Sequence, residues 1–427
     1  MLYRPLSVSL MFLVFSLVYF FMGPVTYRVD NLGQFLSYFI FYILMGTLGY
    51  LSGVYFSSRV KVNRSTRLFR INFWSFFFFS LISSLIFNYV VASGNLIPLN
   101  IFNYFVLAFS GELLSLGDIY YENKINSVGD SSSFIASLMF AFLGWARFIV
   151  VPYLVWNWMS LTKIRKFSGI FVAILPVLTG LSIGLNKPIF DFSLIFLFST
   201  LISYYIKRKE NEIGEYRRLR RLLKNSLIAI SLSVIIFGLA MNSRGVTFQY
   251  IEFSSPLRDI AVKEVVPENS VSISLVMLGH YMFQGYYAFS LSLDQDFDST
   301  YGFGHSPFLA RQFSRVFNRD LTALTYQQKI DKYWPNGLRW HSAFSQFAND
   351  FHFFGVGFVV YSIFFMIALS WVFSYKYGMR EFIYFMPMHG ILVVFLPANN
   401  QVFGFADSLG LVLIISLALF YRLVCSR

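Results

Sequence analysis

The sequence predicts an all-α polytopic membrane protein with about ten transmembrane helices. Its composition is 56% hydrophobic and only 13% charged, with 53 Phe and 27 Tyr among 427 residues, which is too apolar for a soluble domain. Apolar runs close to the roughly 20 residues that a bilayer core requires recur along the chain. Basic residues concentrate in alternate connecting loops, which indicates the side on which each loop lies.

The predicted spans cover about residues 6–23, 34–56, 71–92, 134–160, 168–186, 188–206, 225–242, 350–374, 381–397 and 403–421. The first run follows Arg4 and resembles a signal peptide. No small-residue cleavage site follows it, so we expect it to remain as the first span.

The net charge of +13 is mainly a topology signal and not a sign of nucleic-acid binding. More than half of the 34 Lys and Arg residues fall on one predicted side of the membrane. These are Arg4, Arg59, Lys61, Arg64, Arg67, Arg70, Lys163, Arg165, Lys166, Lys207, Arg208, Lys209, Arg217, Arg218, Arg220, Arg221, Lys224, Lys376, Arg380, Arg422 and Arg427. The positive-inside rule therefore predicts that both termini are cytoplasmic.

We expect one integral membrane domain over residues 1–427, since the sequence shows no internal repeat and no low-complexity linker. Cys425 is the only cysteine, which excludes an intramolecular disulfide and a cysteine metal cluster. The topology leaves two sizeable outer segments, residues 93–133 and the large loop 243–349. The first contains an apolar, Gly-interrupted run that we interpret as an interfacial or re-entrant helix.

Within the large loop, residues 270–293 are apolar enough to suggest an eleventh span. An eleventh span would invert all later loops and place Lys376 and Arg380 outside, against the positive-inside rule. We therefore interpret 270–293 as a helix lying in or on the membrane.

The junction of the large loop and the next span holds the strongest candidate site. Arg339 and His341 precede the span, and Asp350 follows within its first turns. Ionisable groups at membrane depth are costly and indicate function by default. A neutral imidazole can accept the proton of an attacking hydroxyl, and a nearby cation favours the neutral form.

Three further cations lie within or beside the predicted spans. Arg147 is near the middle of its span, and it either forms a buried ion pair with a carboxylate such as Asp191 or Asp407, or lines an anion site. Lys187, in an outer turn, and Arg244, at the outer end of a span, are each interfacial anchors or members of the same cavity.

The large loop contains a predicted helix that starts at "SPF", with Ser306 as the cap and Pro307 in the first turn. Arg311, Arg315 and Arg319 recur every four residues, which gives either a solvated basic face or a site for phosphate or acidic glycan.

The loop also contains "DQDFD", whose Asp294, Asp296 and Asp298 could hold a divalent cation. The run lacks the Gly and the Glu of a helix–loop–helix calcium site, and we assign no metal.

The stretch from His341 to Gly355 resembles the segment of O-antigen polymerases and O-antigen ligases that follows their large outer loop. His341, Ser342, Asp350 and Gly355 stand in the register of that pattern, while His352 stands where a small Gly is common.

Upstream, "TGLSIGLNKPIF" is similar to the Thr-Gly-Ser-Arg-Gly turn of these families, with Lys187 where Arg is usual. "TYGFGHSPFL", which contains His305, resembles their Gly-rich turn, and the likeness extends over roughly residues 170–375.

The resemblance implies a GT-C-like membrane glycosyltransferase in the bacterial inner membrane that needs no metal or cofactor. It would polymerise undecaprenyl-diphosphate-linked oligosaccharides at the periplasmic face, among membrane lipids and with a chain-length regulator as a further partner. Under this hypothesis His341 is the base, assisted by Arg339 and Asp350. The residues expected to hold diphosphate or glycan are Arg147, Lys187, Arg244, Arg311, Arg315, Arg339 and His305. O-antigen ligase, a flippase or transporter of lipid-linked glycan, and a structural partner in an assembly complex remain as alternatives.

Overall fold

The computed structural model describes residues 1–59, 72–91, 110, 134–243, 246–252 and 260–425. These residues are mainly helical. The helices are α1 (Arg4–Met22), α2 (Leu32–Arg59), α3 (Phe73–Val91), α4 (Phe134–Leu143), α5 (Arg147–Asn157), α6 (Lys163–Ser182), α7 (Lys187–Lys209), α8 (Ile213–Ser243), α9 (Phe248–Glu252), α10 (Ser270–Phe283), α11 (Gly285–Leu293), α12 (Pro307–Phe317), α13 (Tyr326–Lys329), α14 (Ala343–Tyr375), α15 (Arg380–Phe395) and α16 (Ala406–Cys425). The strands β1 (Val25–Tyr27) and β2 (Ile260–Val262) form an antiparallel pair with Val25 opposite Val262.

Within the described part of the chain, nine helical segments are long and apolar enough to cross a membrane. They correspond to nine of the ten predicted spans, and α4 and α5 together form one of them, joined by a short 3-10 turn at Gly144–Ala146. The tenth predicted span, 381–397, is α15, a helix of 16 residues. Because α15 rises only about 24 Å, it is shorter than a bilayer core of about 30 Å.

Among the described helices, the most extensive contact is between α2 and α14. Glycines on one face of α2 permit it: a Cβ at Gly53 would lie 2.7 Å from Ala368 Cβ, and a Cβ at Gly49 would overlap the carbonyl oxygen of Tyr361. Small residues at this spacing allow two apolar helices to approach backbone to backbone. The Tyr42 hydroxyl adds a 2.8 Å hydrogen bond to the carbonyl oxygen of Phe353.

One end of the bundle collects the basic residues, and we call it the basic end. Contacts join the helix termini there: Lys209 Nζ to Tyr375 O at 2.5 Å, Arg218 Nη2 to Val155 O at 2.9 Å, Arg422 to Glu381 at 2.5 Å, and Arg4 over the Tyr205 ring at 4.4 Å. The start of α1 and the end of α16 therefore lie at the same end, consistent with the predicted loop pattern.

The opposite end, which we call the loop end, carries α9–α13, the β1–β2 pair and the loop 396–405. Residues 270–293 form two helices there, α10 and α11, where the sequence analysis expected one helix in or on the membrane. Tyr286, Tyr287, Ala288 and Phe289 of α11 are fully buried, so α11 is enclosed by protein. The predicted outer segment 93–133 lies outside the described residues apart from residue 110.

Candidate functional site

A cavity of about 270 Å³ lies at the loop end, between the start of α7, the end of α8, α10 and the segment 337–340. Its polar and aromatic lining includes Asn186, Lys187, Asp191, Tyr250, Tyr281, Trp340 and Gln401. The rings of Tyr281 and Trp340 meet edge to face, with centroids 4.9 Å apart. Such a wall of aromatic faces with few polar groups is typical of a small-molecule site.

Lys187 is the cation of this loop-end cavity. Its Nζ lies 2.6 Å from Asp191 Oδ2, and it stands 4.6 Å from the centre of the Phe405 ring. The preceding turn depends on Gly184, whose φ of 71° ends α6 in the left-handed conformation. Because a helix N-terminus repels a cation, Asp191 one turn later offsets the cost of placing Lys187 there.

Arg339 is buried beside the cavity, with 4% of its surface exposed. Its Nη1 donates to Nε2 of His280 at 2.6 Å, and its Nη2 donates to the carbonyl oxygen of Tyr250 at 2.8 Å. Because a guanidinium can only donate, His280 carries its proton on Nδ1, which lies 2.6 Å from the Tyr27 hydroxyl. Burial, and then the Arg339 charge, hold the pKa of His280 well below its usual value.

His341 is 3% exposed, and neither ring nitrogen has a hydrogen-bond partner among the described residues. Burial lowers the pKa of its imidazole to about 3. The cation expected beside it, Arg339, is bonded to His280 instead. His341 is therefore a neutral, enclosed imidazole, and its role as a base stays a prediction.

Asp350 is bonded to the Gly-rich turn of the large loop. Its carboxylate accepts backbone N–H groups from Gly302 at 2.9 Å, Gly304 at 3.1 Å and His305 at 2.8 Å, and it also accepts the Thr300 hydroxyl. His305 Nδ1 completes the set at 2.7 Å from Asp350 Oδ2. The resemblance grouped Asp350 with His341, whereas the structure pairs it with His305.

The carboxylate of Asp350 fixes how His305 can act. An ionised carboxylate accepts only, so Asp350 accepts the Nδ1–H of His305, and in the neutral form of this imidazole Nε2 is the acceptor. The His305 side chain is 15% exposed and that of Asp350 is fully buried. Asn400 holds the carbonyl oxygen of His305 at 2.9 Å, while Gln401, the next residue, lines the cavity. The loop 396–405 thus connects His305 to the loop-end cavity.

His352 interrupts α14 with φ 56° and ψ 161°. Only glycine adopts this conformation without strain. The His352 side chain is exposed at the loop end, with its ring 5.4 Å from that of Phe297. His352 is therefore a strained residue two positions after Asp350.

Arg147 forms a buried ion pair with Asp407, with Nη2 at 2.5 Å from Oδ2 and side chains 6% and 2% exposed. The guanidinium also lies over the rings of Phe87 and Phe148, at 4.1 and 4.2 Å. Of the two carboxylates proposed from the sequence, Asp407 is therefore the partner, and Asp191 binds Lys187 instead. The pair matches the structural interpretation of Arg147, and its diphosphate role stays a prediction.

The basic helix of the large loop begins as predicted, since the Ser306 hydroxyl accepts the N–H of Leu309 at 3.3 Å and Pro307 occupies the first turn. Arg311 and Arg315 are exposed on α12. The helix ends at Phe317, so Arg319 is not on the predicted stripe and instead lies 5.2 Å from the Tyr301 ring.

In the acidic run "DQDFD", Asp294 and Asp298 bind separate partners. Asp294 accepts from Asn31 at 2.9 Å, and Asp298 pairs with Lys329 at 2.7 Å. No group of three His, Cys, Asp or Glu suited to a metal occurs among the described residues. Arg244 lies outside the described residues.

Sequence reasoning missed His280 as the partner of Arg339 and Tyr27 as the partner of His280. His280 lies inside an apolar run, where a lone histidine is a signal that could have been followed. Tyr27 gave no such signal, because it is 253 residues away from His280 in the sequence.

The fold and site together define an α-helical protein with helices able to span a membrane and a cavity at its loop end. In comparisons with protein-family models, curated proteins and solved structures, nothing matches the chain.

Proposed function

We propose that the protein is a membrane glycosyltransferase that polymerises oligosaccharide units carried on undecaprenyl diphosphate. In this proposal the loop end faces the periplasm and the basic end faces the cytoplasm of a bacterial inner membrane. The observation that carries the proposal is the Asp350–His305 pair in the Gly-rich turn, which is joined to the loop-end cavity through Asn400 and Gln401.

His305 would act as the general base. In the reaction, an acceptor sugar hydroxyl attacks the anomeric carbon of the donor, and its proton passes to His305 Nε2. The bond from that carbon to the diphosphate oxygen breaks as the new glycosidic bond forms. A base oriented by a buried carboxylate is suited to this step. His341, with a pKa lowered to about 3, is a poorer proton acceptor near neutral pH.

The loop-end cavity would bind the lipid diphosphate that leaves and a sugar ring of the substrate. Lys187 lies at its wall and can balance the charge that develops on the lipid diphosphate as it leaves. Tyr281 and Trp340 offer aromatic faces against which the apolar face of a sugar ring can stack. Because α15 has only 16 residues, we expect the loop 396–405 that follows it to be recessed toward the membrane, where a lipid-linked donor arrives.

The test is a strain that lacks the gene and carries wild-type or variant copies. Surface glycan in the deletion strain is expected to contain single repeat units, and the wild-type copy restores long chains. Complete loss of glycan from lipid A would identify a ligase instead, and loss of lipid-linked units from the outer leaflet would identify a transporter.

A matched pair of variants assigns the base. His305→Gln at wild-type protein level is expected to lower chain growth at least about 100-fold, the usual contribution of a general base. His341→Gln is the control, since it also removes an imidazole from the loop end. Loss of activity in His341→Gln with full activity in His305→Gln would return the role of base to His341.

A further inference from the structure

A second cavity, of about 220 Å³, lies between α5, α6, α7 and α8, and we call it the inner groove. Its lining is apolar apart from one residue and consists of Val151, Leu154, Val155, Trp158, Ile170, Ala173, Ile174, Phe192, Phe196, Arg218 and Leu222. Ile170 and Ile174 are 38% and 36% exposed, so the inner groove reaches the outer surface of the bundle. On helices that can span a membrane, that surface faces lipid.

Arg218 is the polar residue of the inner groove. Its Nε and Nη2 lie 3.0 and 2.7 Å from Glu215 Oε2, and Nη2 also donates to the carbonyl oxygen of Val155. Its Nη1 has no hydrogen-bond partner among the described residues. A guanidinium with an unused N–H at the edge of an apolar groove is suited to an anionic oxygen.

Apart from Glu215, the charged residues near Arg218 are cations. Arg220 and Arg221 are exposed on the same helix, and α6 begins with further cations. One of these, Lys166, lies 5.0 Å from the ring of Trp158, which lines the inner groove. Tryptophan beside basic residues is typical of the headgroup level of a membrane.

The inner groove therefore has its charge at one end and apolar walls along the rest. From the level of Lys166 to that of Ile174, α6 rises about 12 Å. The inner groove thus has a cationic end followed by an apolar channel along the helices. A phospholipid has the matching arrangement, an anionic phosphate followed by an apolar acyl chain.

We propose that the inner groove binds an anionic glycerophospholipid, with the phosphate at Arg218 and one acyl chain between α6 and α7. The inner groove lies at the basic end, whereas the cavity proposed for the glycan donor lies at the loop end. The site is therefore separate from the proposed reaction and does not depend on it.

The test uses the full-length protein in phosphatidylcholine vesicles that contain phosphatidylglycerol with a diazirine on its acyl chain. After illumination, mass spectrometry of peptides should place the label on Ile170, Ile174, Phe192 or Phe196. Arg218→Gln should reduce this labelling about tenfold, because a charge-assisted contact is lost. Arg217→Gln, an exposed arginine on the same helix, should leave it unchanged.

Ala173→Phe provides a second variant that fills the inner groove and leaves Arg218 in place. It should also abolish the label on α6 and α7, and it decides the question alone if Arg218→Gln fails to fold. Three results would overturn the proposal: even labelling of all lipid-facing helices, equal labelling by a diazirine phosphatidylcholine, or normal labelling in Ala173→Phe. Displacement of the label by a polyprenyl phosphate in preference to phosphatidylglycerol would assign the inner groove to the donor lipid and overturn it as well.

Discussion

At the strained residue His352 we expect glycine to stabilise the protein more than alanine does, the reverse of their order at a regular helix position. At a regular helix position, replacing Ala by Gly costs about 1 kcal/mol. At φ 56° and ψ 161°, a residue with a Cβ is strained by about 1–3 kcal/mol, and glycine is not. Ala and Gly both remove the imidazole, so comparing His352→Ala with His352→Gly isolates the backbone. We expect His352→Gly to be the more stable variant by about 1–3 kcal/mol.

The free energy of unfolding would be measured in mixed micelles of dodecyl maltoside and sodium dodecyl sulfate. Ser362, exposed at a regular position of the same helix, is the matched control, and Ser362→Ala should be more stable than Ser362→Gly by about 1 kcal/mol. Equal stability of the two His352 variants, or greater stability of His352→Ala, would refute the strain at this residue.

Two other predictions concern buried ionisable groups. Asp407→Asn should destabilise the protein by about 3–5 kcal/mol, because it leaves Arg147 buried without its partner, and adding Arg147→Gln should recover most of that loss. Unfolding of the single and double variants measures this, and a fully stable Asp407→Asn would contradict it. For His341, the pKa is about 3 in the folded chain and ordinarily about 6.5 in an unfolded one, so protons bind preferentially to the unfolded chain as the pH falls between these values. Lowering the pH from 7.5 to 5 should therefore cost about 2 kcal/mol at this residue, and His341→Gln should lose less stability over that pH step than wild type does.

The helices could be predicted from the sequence because their signals are local. Ten apolar runs of membrane length were predicted as spans, and nine of them are helices long and apolar enough to cross a membrane in the described part of the chain. The Ser306–Pro307 start of α12 followed from its capping residues. The end of α12 was missed because Asn318 adopts a left-handed conformation, with φ 50°. No apolar period reveals that conformation in advance.

The candidate site could be predicted only in part because its contacts are distant in sequence. Asp350 and His305 are 45 residues apart, and spacing along one helix cannot reveal a partner on another segment. Likewise, two carboxylates were plausible partners of Arg147, and only the packing of α16 against α4 and the turn after it selects Asp407. Residue types therefore indicated which ionisable groups belong to the candidate site, whereas the packing of helices determines which of these groups form pairs.

The close contact of α2 with α14 has a consequence for biosynthesis. Tyr42 and the Phe353 carbonyl that it binds are 311 residues apart, so a ribosome adding 5–20 residues per second needs roughly 15–60 s between them. Throughout that interval the glycine face of α2 has been made but its partner has not. Lipid or an insertion factor must therefore cover this face until α14, in the last fifth of the chain, has been made.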